Sequence, residues 1–176
     1  MARCAYCKTA ILFGGVRDGN ERYCDRRCHE NGFILKVAAQ VPQETVLNEA
    51  GRLHQGPCPK CGGPGPVDVH RVYRVWSAAV VTTSSHFPVV ACRSCARKSQ
   101  AGGVMFSFFL GWWGIPWGLF LTPLQITRNI VGMCGGPDPS RPSPELENFV
   151  RTAMGVQMIQ QQRQHTPPGA PPVIVR

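Results

Sequence analysis

The sequence lacks any long helical or strand pattern that runs uninterrupted, because 19 glycines and 16 prolines are spread along its 176 residues. That excludes one ordinary extended core and favours several small units. Small units bury too little apolar surface to offset chain entropy, so each needs a staple, a disulfide or a metal. Also missing is room for a secretory signal: the first cysteine motif starts at Cys4, leaving no space for a charged region and an apolar core before it. A reducing cytoplasmic setting is expected, in which cysteines serve metals and not disulfides. No HExxH, no H-x-E…PCxxC and no Ser/His/Asp grouping is present, so no small-molecule substrate and no enzymatic activity are expected.

What the chain does have is cysteine. Eight of its nine cysteines form four close pairs, and Cys134 stands alone. The pairs assemble into two four-ligand sets, Cys4/Cys7/Cys24/Cys28 and Cys58/Cys61/Cys92/Cys95, and two Zn2+ ions per chain are expected. Two residues between paired cysteines let one tight turn aim both sulfurs at a single ion. The formal charge of +9 suggests nucleic acid or anionic lipid as a partner. Each site, however, adds a dication and four thiolates, which brings the total to about +5.

In the first module, residues 1–40, CAYC is followed after sixteen residues by CDRRC. The stretch between reads as a hairpin, with Gly14-Gly15 and Asp18-Gly19-Asn20 as turn signals. A helix is predicted from Asp25, its N-cap, with Cys24 and Cys28 at its first turn, where the helix dipole favours thiolates. His29 is the alternative ligand to Cys28. A knuckle, a hairpin and a helix carrying the second pair resemble a treble-clef zinc finger, and YCDRRCHENGF is similar to the YHS, TRASH and MYM group.

Residues 41–57 read as a linker with one or two helical turns. CPKCGG then opens a zinc ribbon, residues 58–100, closed by Cys92 and Cys95 after thirty residues that suit a meander of two or three strands. PVDVHRVYRVW alternates, placing Val67, Val69, Arg71, Tyr73 and Val75 on one face and Asp68, His70, Arg74 and Trp76 on the other. His70 and His86 are expected on a half-exposed sheet, not at a metal. Arg71, Tyr73, Arg74 and Trp76 are the candidate contacts for nucleic acid, by charge and stacking.

From Ser99 to Thr127 there is no charged residue. About twenty such residues can cross a bilayer, so residues 101–130 are expected at a membrane, as a single span or a re-entrant hairpin. Gly111, Gly114, Pro116, Gly118 and Pro123 would break a buried core helix. Trp112, Trp113, Pro116 and Trp117 are the expected membrane-associated residues, and Gly114-x3-Gly118 offers a contact for a homo-oligomer. The flanking Arg93, Arg97 and Lys98 put the zinc modules on the cytoplasmic side. A zinc ribbon followed by GWWGIPWG and TPLQITRNI resembles a poorly characterised group of bacterial membrane-linked zinc-ribbon proteins. That resemblance implies architecture more than activity.

Ser143-Pro144 marks the start of an amphipathic helix over 143–163, and the Pro-rich tail 164–176 is expected to be disordered. The fold class expected is thus small α+β zinc modules, an apolar membrane-associated segment and a C-terminal helix. The function expected is a zinc-stabilised adaptor or scaffold at a membrane, with a protein partner. A soluble nucleic-acid-binding protein is the first alternative, and a thiol redox or metal sensor using Cys134 the second.

Overall fold

The computed structural model describes residues 2–78, 81–114 and 116–165. Most of the expected Pro-rich tail lies outside the described residues. The chain divides into two compact units, Met1–Val46 with Asn148–Arg176, and Leu47–Glu147. Among the described residues, short antiparallel sheets and five helices make an α+β fold.

In the first unit, β1 (Ala2–Arg3) pairs with β2 (Ala10–Ile11), and β3 (Val16–Asp18) pairs with β4 (Glu21–Tyr23). The Asp18↔Glu21 register leaves Gly19-Asn20 as the two-residue hairpin turn, with Gly19 at φ 56°. Helix α1 (Arg26–Ala39) follows, and the Asp25 carboxylate accepts from the Cys28 N–H at 2.7 Å, making Asp25 its N-cap. The core under the hairpin is small, Cys4, Ile11 and Tyr23, and Val37, Ala38, Val41 and Val46 are buried further along the unit. A polar clasp ties hairpin to helix, the Tyr23 hydroxyl donating to Glu21 while Lys36 pairs with the same carboxylate at 2.6 Å.

Helix α2 (Gln43–Gln55) occupies most of the stretch expected to be a linker. The correction has a simple cause: Val46, Ala50 and His54 recur every fourth residue and all are buried, so the segment carries a helical stripe.

The second unit is built on one long hairpin, β5 (Val67–Ala78) with β6 (Val81–Cys92). The expected meander of two or three strands is therefore two, and Ser84-Ser85-His86 lies inside β6. Cys58, Val67, Val72, Val89 and Ala91 form its core. Helix α3 (Arg93–Leu110) starts where β6 ends, and α4 (Trp117–Cys134) packs beside it, both against β5. Helix α5 (Pro144–His165) opens with the Ser143 hydroxyl accepting from the Leu146 N–H at 3.2 Å.

The single membrane span is not what the apolar segment forms. Among the described residues no helix is long and apolar enough to cross a membrane. The segment is instead a helical hairpin, broken between Gly111 and Pro116, whereas Gly118 and Pro123 sit inside α4 and do not end it. Gly114 and Gly118, expected as a contact for another copy, are filled from within the chain. A Cβ on Gly114 would lie 2.3 Å from the Thr82 hydroxyl, and one on Gly118 2.5 Å from the Gly111 carbonyl.

The hairpin meets β5 through polar side chains. Asn129 takes both main-chain groups of Tyr73, accepting from its N–H at 3.0 Å and donating to its carbonyl at 2.7 Å. Ser107 accepts from the Val75 N–H, Gln100 donates to the Arg71 carbonyl, and the Ser77 hydroxyl donates to the Gly111 carbonyl. The edge of β5 that faces away from β6 is thereby satisfied without a third strand.

Candidate metal centres

Two clusters of four cysteines emerge, Cys4/Cys7/Cys24/Cys28 and Cys58/Cys61/Cys92/Cys95, in each of which all sulfurs lie within 4.8 Å of one another. Cys7 and Cys24 sulfurs are 3.5 Å apart, Cys61 and Cys92 sulfurs 3.8 Å. A tetrahedron with sulfur at about 2.3 Å from zinc has edges of roughly 3.8 Å, so both sets fit a four-thiolate zinc site.

The same local construction makes both. In each, a Cys-x-x-Cys knuckle folds back on itself: the Lys8 N–H donates to the Cys4 carbonyl at 3.0 Å, and the Gly62 N–H to the Cys58 carbonyl at 2.8 Å. Closing such a turn puts the residue after the second cysteine in the left-handed region, Lys8 at φ 61° and Gly62 at φ 68°. The other pair sits where a helix begins. Cys24 precedes the α1 cap and Cys28 lies in the first turn; Cys92 caps α3 and Cys95 lies in its first turn. Free N–H groups and the dipole there favour negative sulfur. The second site adds a direct bond, from the Cys92 N–H to the Cys58 sulfur at 3.2 Å.

Among the sulfurs alone, acidity runs against the dipole: the knuckle thiols Cys4 and Cys58 are lowered, and Cys24, Cys28 and Cys95 at the helix starts are raised by the neighbouring sulfurs and by burial. Burial pushes the Cys4 thiol up, but N–H groups of Cys7, Cys24 and Tyr6 outweigh it and bring the pKa down to about 6. Cys58 follows the same pattern, burial opposed by the N–H groups of Cys92, Lys60 and Cys61, and also reaches about 6. Cys24 is pushed up to about 11, chiefly by sharing a proton with Cys7. Cys28 is pushed up to about 12 by burial first and Cys7 next, and Cys95 to about 12 by Cys61 first. Four sulfurs this close do not all ionise by themselves; a dication among them removes the repulsion, and its binding must release protons.

His29 is not among the ligands. Its Nε2 faces the Asp18 carboxylate at 3.0 Å and its ring stands edge-on to Tyr23. His70 is buried and not half-exposed as its place in the alternation suggested, and burial holds its imidazole below the ordinary range. His86 stays on the ribbon surface beside Tyr73.

The four residues expected at a nucleic-acid surface have different neighbours. Arg71 pairs with Glu145 at 3.6 Å. The Arg74 guanidinium lies over two rings, 4.9 Å from the centre of Phe87 and 5.5 Å from Phe106. Tyr73 is partly covered by Arg128, and Trp76 is exposed. At the α3–α4 turn, Trp112, Trp113, Pro116 and Trp117 are all exposed.

One grouping escaped the sequence: Ser143, Asp68 and His54, far apart in the chain, meet in the second unit. The Ser143 hydroxyl and N–H both donate to Asp68, while His54 Nδ1 lies 3.7 Å from that carboxylate. Its wiring differs from a nucleophilic triad, where serine bonds histidine. Here the two His54 nitrogens face the Val67 and Pro139 carbonyls, and Ser143 is spent on Asp68 and the α5 cap. The buried stripe of α2, which ends in His54, was the signal that could have revealed it. No protein-family model matches the chain, nor does any curated protein or solved structure, so these centres stand on their own geometry.

Proposed function

We propose that the protein is a non-enzymatic scaffold in which two structural zinc ions fix two small modules, held at a membrane surface by the α3–α4 hairpin. The carrying observation is the pair of four-sulfur clusters built on matching knuckle-and-helix frames. Each cluster supplies four thiolates, which completes a closed coordination shell and leaves no position for substrate or water. Zinc there supplies sulfur–metal bonds that lock the knuckle to the start of the helix. The first frame, with its order of knuckle, hairpin and helix, supports the treble-clef resemblance; the second departs from a ribbon, since Cys92 caps a helix and Cys95 lies in its first turn.

Metal analysis of the purified chain is expected to give two zinc ions per molecule. Cys28→Ser should lose one of them, whereas His29→Ala should keep both. A chain that retains its cooperative melting after chelation, with its thiols free, contradicts the proposal.

A further inference from the structure

The hairpin of the second unit is built inside out. The residues that α3 buries are Ala96, Gln100, Gly103 and Ser107, and those that α4 buries are Gly118, Thr122, Gln125 and Asn129. A water-soluble helix normally buries its apolar stripe and shows its polar one. Here Gln100, Ser107 and Asn129 of the polar stripe bond main-chain groups of β5, and the large apolar side chains point out. Trp113 is 70% exposed and Phe120 71%; Phe109, Trp117, Leu124 and Val131 continue the same exposed face. That face far exceeds the scattered single apolar residues ordinary on a surface.

Charge identifies what covers it. Between Val69 and Pro137 the chain carries six Lys and Arg and no Asp or Glu. Arg97 and Lys98 stand at the start of α3, and Arg128 lies late in α4. Arg97 and Arg93 bond the Met133 and Cys134 carbonyls, which fixes positive charge at the end of the hairpin remote from the tryptophans. A face rimmed by one sign complements an anionic surface and not a second copy of itself.

The apolar face runs the length of α4, from Trp117 to Val131, and is not confined to the turn. Tryptophan at one end and arginine with lysine at the other are both residue types of the bilayer interface. Such a helix lies in the plane, sunk about 5–10 Å. At the cationic end opens a cleft of about 360 Å³ lined by Tyr73, Gln100, Thr127, Arg128 and Val131. The Gln100 Oε1 beside it is shut off from solvent and has no hydrogen-bond partner among the described residues. A phosphate beside Arg128 meets the positive charge that lines this cleft.

We infer that the outward face of the α3–α4 hairpin lies flat on an anionic phospholipid surface, with Lys98 and Arg128 at the phosphates and the cleft receiving a headgroup. This rests on the membrane-held reading of the scaffold and names its lipid and its orientation.

The test is flotation of the full, zinc-loaded chain with vesicles of phosphatidylcholine alone or with added phosphatidylglycerol. Binding is expected only with phosphatidylglycerol, weakening as salt rises, with tryptophan emission shifted to the blue. Lys98→Gln and Arg128→Gln should each weaken it roughly fivefold. Trp113→Ser and Phe120→Ser should each weaken it roughly tenfold. These side chains are exposed, so zinc content and far-ultraviolet dichroism report whether each variant is folded. Equal binding to both vesicles overturns the anionic assignment and leaves the membrane-held scaffold standing. No binding to either, with two zincs retained, overturns both. A dimer in solution that Trp113→Ser dissociates, without vesicle binding, overturns the inference in favour of self-association.

Discussion

The two four-cysteine modules begin alike and end differently. Both fold a Cys-x-x-Cys knuckle against the first turn of a helix. In the first, the hairpin between has strands of three residues, and its core is Cys4, Ile11 and Tyr23. In the second, the hairpin has strands of twelve residues, and its core extends from Cys58 through Val67 to Val72. The difference teaches where metal substitutes for a core. With short strands the cluster is most of what the hairpin and helix share. With long strands, burial and the helical hairpin hold the part that lies beyond the metal.

The sharpest way to break that contrast is to remove one ligand from each site. Cys4→Ser should unfold the knuckle, the β3–β4 hairpin and the start of α1 together, since structural zinc contributes on the order of 10 kcal/mol to such modules. Cys58→Ser should loosen the base of its unit and leave protection in β5, α3 and α4. Hydrogen exchange resolved by peptide separates the two outcomes, and equal collapse of both would erase the distinction.

A smaller effect probes what the second module has and the first lacks. Asn129→Ala leaves the Tyr73 N–H and carbonyl without partners in a part-buried place, which costs about 2 kcal/mol. Denaturant unfolding followed by Trp emission measures it, with Arg128→Ala, on the exposed side of α4, as the control of small effect.

The smallest effect compares the knuckles themselves. Lys8 is held where an L side chain is strained, whereas Gly62 is not. Lys8→Gly should stabilise the first site, and Gly62→Ala should destabilise the second, each by about 1 kcal/mol. No atom lies within 4 Å of a Cβ built on Gly62, so backbone strain alone sets that change. Competition with a colorimetric chelator reads both.

The two four-cysteine clusters were legible because Cys-x-x-Cys spacing is a local signal that survives without tertiary knowledge. So were the Asp25 cap and the Ser143-Pro144 helix start, which depend on a few neighbouring residues. The apolar segment was misread for a physical reason. Composition over 101–130 records how apolar the stretch is, but not which side of each helix carries Gln100, Ser107, Thr122 and Asn129. Those residues recur at helical spacing, and Gln100, Ser107 and Asn129 find their partners in main-chain groups of β5, dozens of residues earlier. The Ser143–Asp68–His54 contact was invisible on the same ground, since it joins three elements that no local pattern links.

The side chains that satisfy β5 also decide what the ribbon refuses. Because the Arg71 carbonyl faces Gln100, the cross-strand pair of Arg71 and Pro88 does not exchange main-chain bonds, so the Pro88 nitrogen looks outward from β6. A proline has no hydrogen to offer there. One margin of the ribbon is therefore taped by helices and the other interrupted by an imino acid, and a stray strand from a neighbouring chain finds no continuous template on which to grow.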